Sequence, residues 1–284
     1  MGATHATPAS QGALIRRKAL GTSSSGKDDS HSIVILNKGV QAFSGVTGDY
    51  LDMRWEKDGI AVEVLFSKAG LATQILVTTE ETAFLIDAGD GTLRDLIHKN
   101  FLPQRLKGIF FTHGHADHMA GLYGILGFLR AENHTGTFRI WYPKGCEEVR
   151  AVIDAFQRCY KNTTPFTLVE HALNDGDEVE IGQIKVLARE VKHWHSIKGQ
   201  LLRPAPAMGY RLEFRGITIA VTGDTAPCPS VVELVQDADL ALIEASLPDE
   251  VSEEQKMFLH LTHSEAKKLG TLARDFRFIH LPKD

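Results

Sequence analysis

Three histidines and an aspartate fall within six residues, His113-Gly114-His115-Ala116-Asp117-His118, directly after the apolar run Ile109-Phe110-Phe111. Imidazole and carboxylate groups at this density suit a borderline divalent ion such as Zn²⁺, with Mn²⁺ or Fe fitting oxygen-richer positions. Residues at i and i+2 of an extended segment project to the same side, so His113 and His115 can reach one ion. Asp117 and His118 lie at the turn into the apolar segment that follows and can face a second ion beside the first. A solvated histidine-rich loop is the plain alternative, and it fails because further ligand-type residues fall at strand ends upstream and downstream.

The elements that must position this cluster can be read from periodicity. Strands are expected over Ile60–Phe66, Thr73–Thr79 and Thr82–Ile86, and Asp87-Ala88-Gly89-Asp90-Gly91 then turns the chain. A short helix is expected over Leu93–Lys99. Leu106–Thr112 is the strand that delivers the histidines, and Met119–Ala131 has the apolar spacing of a helix on a sheet. Strand Phe138–Tyr142, helix Glu147–Tyr160 and strand Pro165–Val169 continue the alternation. Strands Glu178–Ile181, Ile184–Val191, Met208–Phe214 and Ile217–Val221 follow, then helix Ser230–Gln236, strand Leu240–Glu244, helix His263–Arg274 and strand Phe276–His280. Strands grouped in both halves with helices interspersed predict an α+β fold, two sheets covered by helices.

A chain of 284 residues with 43% hydrophobic content can bury a sizeable core. Met1–Ser30 is rich in Ala, Ser, Thr and Gly, has no acid before Asp28, and is read as a flexible segment 1–30 ahead of one domain over 31–284. Its acid-poor character is shared by organelle presequences, but it lacks a long amphipathic period. Ile33–Leu36 reads as one strand within a stretch that otherwise has no legible role. The formal charge of −5 lacks the basic surplus that drives tight phosphate-backbone binding, so nucleic acid is not the favoured partner. Cys146, Cys159 and Cys228 are widely spaced and odd in number, which suggests neither a disulfide framework nor a thiolate cage and points to a reducing, cytoplasmic setting. No apolar run approaches the roughly 20 residues that span a bilayer, so no membrane partner is expected.

His-x-His-x-Asp-His after an apolar strand resembles the signature of the metallo-β-lactamase-fold hydrolases. The resemblance implies a four-layer αββα sandwich and extends from Ile60 to the end of the chain. Leu85-Ile86-Asp87-Ala88-Gly89 resembles the family's first motif, whose aspartate orients the ligand loop. Val191-Lys192-His193, Val221-Thr222-Gly223-Asp224-Thr225 and Phe278-Ile279-His280 resemble the later motifs. By that likeness one metal would take His113, His115 and His193, the other Asp117, His118 and His280, with Asp224 bridging them. His195, two residues past His193, competes for the same position; His193 is favoured because it ends its strand in the family's Val-x-His place. His5, His31, His98, His134 and His171 stand alone in polar or helical contexts and are read as surface or capping residues.

Met208-Gly209-Tyr210-Arg211-Leu212 ahead of Gly-Asp-Thr resembles the branch that holds ribonuclease Z and related phosphodiesterases. In that branch a late histidine donates a proton, paired with a glutamate from His-Glu-Ala-Thr; here His260 and Glu244 match, while Ile243 replaces the motif's histidine. His263, at the start of the last helix, is the alternative donor. No Gly/Pro-rich tRNA-gripping arm stands between Gly121 and Ile181, and only a hairpin turning at Arg215-Gly216 joins Gly-Tyr-Arg to Gly-Asp-Thr. The expected activity is therefore that of a binuclear metal-dependent phosphodiesterase using a metal-bridging hydroxide, with Asp117 orienting water, His260 as acid, and a small-molecule or nucleotide-type substrate. The alternative is a lactone, ester or thioester hydrolase; a tRNA 3′-processing endoribonuclease is placed lower. Two divalent ions, Zn²⁺ foremost, and a homodimer are what the family implies. Trp194–Ala207 is expected as an extended loop overhanging the site, with Lys198 or Arg203 available to an anionic substrate.

Overall fold

The computed structural model describes residues 53–283. The segment 1–30, the boundary at 31 and the strand expected over Ile33–Leu36 lie outside the described residues.

Strands β1 (Arg54–Lys57), β2 (Ile60–Lys68), β3 (Ala72–Thr79), β4 (Ala83–Ala88), β5 (Gly108–Phe110), β6 (Thr137–Pro143) and β7 (Thr167–Leu173) lie side by side in that order in one seven-stranded sheet. Its first four strands are antiparallel and its last four parallel. After β8 (Glu178–Ile181) and β9 (Ile184–Glu190) comes a separate ribbon of β10 (Trp194–Ile197) and β11 (Gln200–Pro204). β12 (Met208–Phe214), β13 (Ile217–Val221), β14 (Leu240–Glu244) and β15 (Phe276–Ile279) complete the second sheet, in the order β15-β14-β13-β12-β9-β8.

Period-two alternation explains how the layers stack. In β4, Phe84 and Ile86 face the other sheet while Ala83 and Leu85 face helices; in β14, Leu240 and Leu242 face inward and Ala241 and Ile243 outward. Both faces are buried, so these strands read as continuous apolar runs. Helices α1 (Thr92–His98), α3 (Leu122–Ala131) and α4 (Glu147–Tyr160) cover the first sheet; α5 (Pro229–Val235) and α7 (His263–Gly270) cover the second. α4 buries Val149, Ile153 and Phe156 at helical spacing, each contributing roughly 1.5–3 kcal/mol through lost water contact. The result is the αββα sandwich expected from the sequence.

Several boundaries move. The histidine-bearing strand is only Gly108–Phe110, so His113 and His115 sit on an irregular segment beyond it. The helix expected over Met119–Ala131 divides into α2 (Ala116–Met119) and α3, because the Gly121 N–H leaves the helix ladder for the Ala88 carbonyl at 2.8 Å. That approach requires glycine: a Cβ there would stand 2.4 Å from the Gly89 oxygen. The last helix stops at Gly270, short of Arg274. β1 and α6 (Glu253–Phe258) were not expected, and the overhanging loop is a hairpin.

Candidate metal centre

Strand ends of both sheets deliver the candidate ligands to one edge of the sandwich. His113 follows β5, His193 follows β9, Asp224 follows β13 and His280 follows β15. His113, His115, His193 and Asp224 present ligand atoms within 4.8 Å of one another, as do Asp117, His118 and His280. Asp224 stands between the two groups: its Oδ2 is 3.7 Å from His113 Nε2 and 3.4 Å from His118 Nε2, and its Oδ1 is 3.3 Å from His280 Nδ1. A third set, Asp224, His260 and His280, also meets the 4.8 Å criterion.

The outer atom of each inner ring is held by a named partner, which turns the opposite nitrogen inward. His113 Nδ1 lies 3.1 Å from Thr112 Oγ1, His118 Nδ1 2.7 Å from Asp87 Oδ2, His193 Nδ1 2.8 Å from the Leu259 carbonyl and His280 Nδ1 2.7 Å from Ser246 Oγ. His115 is reversed, with Nδ1 inward and Nε2 at 3.0 Å from His195 Nδ1. Asp87 also accepts from the Thr112 N–H and hydroxyl, both at 2.8 Å, so one buried carboxylate fixes the start of the ligand loop and one of its rings. The Tyr210 hydroxyl braces the same loop through the Phe111 carbonyl at 2.5 Å. Arg211 donates to the Leu234 and Gln236 carbonyls at the end of α5, so the Gly-Tyr-Arg segment supports the edge without reaching the cluster.

Two positions of the site, the supporting Asp87 at φ 59° and the candidate ligand His280 at φ 50°, have backbone conformations that side chains rarely adopt. Such positions cost about 1–3 kcal/mol each and persist only where their surroundings over-determine them. Here the His280 N–H donates to Ser67 Oγ at 2.7 Å and its carbonyl lies 2.9 Å from Ser246 Oγ.

The donor set fits a divalent cation. His113 Nε2 and His193 Nε2 stand 3.0 and 3.3 Å from the same His115 Nδ1, and His118 Nε2 stands 3.3 Å from His280 Nε2. Nitrogens that converge in this way cannot all be satisfied by protons shared among them, whereas one cation accepts all their lone pairs. Burial pushes His113 well below its ordinary range and His193 down to about 3, which keeps both neutral and able to ligate. For His118 burial works the same way, but the charges of Asp224 and Asp87 outweigh it and hold the ring well above its usual value. Burial would raise Asp117, yet its contact with His280 and the charge of His118 bring it down to about 2. Its Oδ2 accepts from the Gly70 N–H at 2.7 Å and lies 3.2 Å from His280 Nε2.

Beside these groups stands a buried carboxylate, Glu244, the last residue of β14. Its Oε1 accepts from the Thr225 and Leu261 N–H groups at 3.1 and 3.0 Å and lies 3.1 Å from His260 Nδ1. Burial opposes charge on His260, but Glu244 lifts the ring to about 9. Glu244 Oε2 accepts from the Ser246 hydroxyl at 2.7 Å, so one serine touches both this pair and His280.

The geometry brings together His113, His115, Asp117, His118, His193, Asp224, His280, His260 and Glu244. His195 sits behind His115 rather than with the ring nitrogens. His263 is exposed at the first position of α7, and Lys198 and Arg203 lie on the exposed hairpin. Thr112, Ser246, Ser67 and the Leu259 carbonyl were missed in the sequence, since hydroxyls and backbone groups carry no spacing signature. Only Ser246, two residues past Glu244, left a trace.

The Beta-lactamase superfamily domain model matches residues 82–280, which include all nine residues that the geometry brings together. The chain belongs to the β-lactamase superfamily. It is 26% identical to a ribonuclease Z of Bacillus thuringiensis (strain Al Hakam), over 74% of this chain and 81% of that protein. The structure resembles the metallo-beta-lactamase fold protein YhfI from Bacillus subtilis, with TM-score 0.64 and 19% identity over 80% of this chain and 88% of that one. It also resembles the short form of human tRNase Z, with TM-score 0.63 and 23% identity over 78% and 93% of the two chains. The metallo-β-lactamase fold is thereby established for this superfamily member. No helix among the described residues is long and apolar enough to cross a membrane.

Proposed function

We propose that this chain is a binuclear metal-dependent hydrolase that cleaves a phosphodiester of a small, non-tRNA substrate. The observation that carries the reading is the His260–Glu244 pair, 3.1 Å apart, set directly beside the two ligand groups between which Asp224 stands. His113, His115 and His193 would hold one ion and Asp117, His118 and His280 the other, with Asp224 between them. Zn²⁺ suits this set of imidazoles and carboxylates, with Mn²⁺ or Fe as alternatives. Two such ions, when bound, supply Lewis acidity and lower the pKa of water.

The chain's own residues perform the proton work. Asp117, ionised and anchored by the Gly70 N–H, orients an attacking water and takes its proton. Glu244 favours the protonated form of His260, and because it holds Nδ1, Nε2 is free to donate to the departing oxygen. Glu244 is itself fixed by three N–H donors, from Thr225, Ser246 and Leu261, so the ring it orients is pre-set before substrate arrives.

Ribonuclease Z relatives supply the phosphodiester side of the reading. The non-tRNA side rests on the stretch Gly121–Ile181, which α3, β6, α4, β7 and β8 take up with short connections and no projecting arm. The test is metal analysis coupled to a panel of aryl phosphodiesters, cyclic nucleotides, short RNA, pre-tRNA and lactones. Metal-dependent cleavage of small phosphodiesters is expected. Turnover of lactones or thioesters alone would overturn the reaction class, and a preference for pre-tRNA would overturn the substrate class.

A further inference from the structure

Three segments that touch the ligand cluster also carry large apolar side chains that stay about half exposed among the described residues. The turn between β2 and β3 holds Gly70, whose N–H meets Asp117, and next to it Leu71 is 49% exposed. The β10–β11 hairpin holds His195, which meets His115, together with Ile197 and Leu202 at 61% and 56% exposure. Helix α6 leads to Leu259, whose carbonyl meets His193, and its Met257 is 53% exposed. Of the eight large apolar side chains left this exposed among the described residues, four stand on these segments. Single exposed apolar residues are ordinary, but a group around one reactive centre marks a binding surface.

The hairpin and α6 form one wall. Lys198 and Gly199 take positive φ at the two central positions of the tight turn, which matches the strand twist. Gly199 lies close enough to Gln255 that a Cβ would stand 2.9 Å from its amide nitrogen, and at the base Trp194 packs on Phe258 at 5.0 Å between ring centres. The hairpin carries no acidic residue from Trp194 to Pro204. Lys198 and Arg203 have neither an ion pair nor a hydrogen bond among the described residues, and Arg203 is the cross-strand partner of His195. Arg203 thus pairs in the ribbon with the residue that meets His115, next to the register shift between His195 and Ser196.

We propose that the substrate of the metal centre is an amphiphilic anion: an ester of phosphoric acid bearing an alkyl or aryl body, which lies along Ile197, Leu202, Met257 and Leu71 while Lys198 and Arg203 add to its attraction. The inference rests on the phosphodiesterase reading but assigns the group beyond the scissile bond. It disfavours a polynucleotide, whose exterior is charged along its whole length.

The test is calorimetric binding of n-alkylphosphonates, from methyl to octyl, to the zinc-loaded protein. The dissociation constant should fall about two- to fourfold per added methylene, since each buried methylene removes a fixed area from water. In the double variant Ile197→Ser/Leu202→Ser, and separately in Met257→Ser, that slope should flatten while methylphosphonate affinity stays. Leu102→Ser, an equally exposed site at the opposite end of β5, should leave the slope unchanged. All four positions are exposed, and circular dichroism checks the fold. Affinity independent of chain length, a slope equal in the variants, or no phosphonate binding at any length would overturn the proposal. So would a change of oligomeric state in the double variant with the slope intact, which would make the wall a protein interface. A retained slope without phosphodiester turnover would instead overturn the reaction class and leave the wall's role standing.

Discussion

The inner ring of the site and the wall beside it are built on opposite principles. In the ring, His113, His118, His193 and His280 are buried, and each has its outer nitrogen held by a specific partner. In the wall, the hairpin and α6 leave Ile197, Leu202 and Met257 exposed, and Lys198 and Arg203 have no ion-pair partner among the described residues. Groups that ligate or transfer protons must be pre-oriented, and burial with fixed hydrogen bonds does that. Groups that select a substrate need to be available, and availability costs exposed apolar area. Chemistry is therefore expected to fail sharply when the ring is altered and selectivity to change gradually when the wall is.

The largest effect is expected at Asp224, which touches both ligand groups. Asp224→Ala should lose metal and abolish turnover; a full complement of two ions by elemental analysis would contradict its position between them. His260→Ala should keep its metal and lose about 10²–10⁴-fold in rate on substrates with poor leaving groups, with a much smaller loss on nitrophenyl esters. Unchanged activity on both would remove His260 from the mechanism. Asp87→Asn leaves the left-handed backbone tolerable but takes away a charge that His118 and Thr112 both lean on. It should weaken metal affinity about 10–100-fold in chelator competition. An unaltered affinity would show that the ring does not depend on its outer partners, and the contrast with the wall would collapse.

A smaller change away from both regions sharpens the contrast. Asp239, at the start of β14, would be raised by burial, but hydrogen bonds from Lys57, the Thr218 N–H and Arg274 bring it down to about 2. A folded-state pKa below the unfolded value gives stability that is present above about pH 4 and lost as pH falls through about 2. Because Lys57 and Arg274 are themselves exposed, solvent screens the gain to roughly 1 kcal/mol. Asp239→Asn should lower thermal stability by that amount at pH 7, and the difference from the native chain should shrink below pH 3. Metal content should not change.

Much of this architecture was legible before the structure. Helix α4 and strands β8, β12, β13 and β14 begin and end where periodicity puts them, because their apolar residues face a core and the pattern is strong. The ligand-type residues were legible because imidazole and carboxylate density after a strand is rare, and family likeness joined the scattered members. What was not legible has a physical reason in each case. α6 buries none of its six residues, so it has no apolar stripe; the Ser252/Gln255 capping box holds its start. The hairpin lies outside both sheets and has a bulge between His195 and Ser196, which breaks the alternation by which strands are recognised. The break between α2 and α3 depends on the Ala88 carbonyl, a tertiary contact with no local signal. Ser246 joins Glu244 and His280 only through the tertiary fold, since its two partners stand 36 residues apart in sequence.

The central claim is that two ions sit side by side, one in each ligand group. Anomalous diffraction at the zinc edge from crystals of the metal-loaded chain tests it directly. Two peaks are expected, one among His113, His115 and His193 and one among Asp117, His118 and His280, with Asp224 touching both. A single peak, or a peak held by Asp224, His260 and His280, would contradict it, and in the latter case His260 would be a ligand and no longer free to donate a proton.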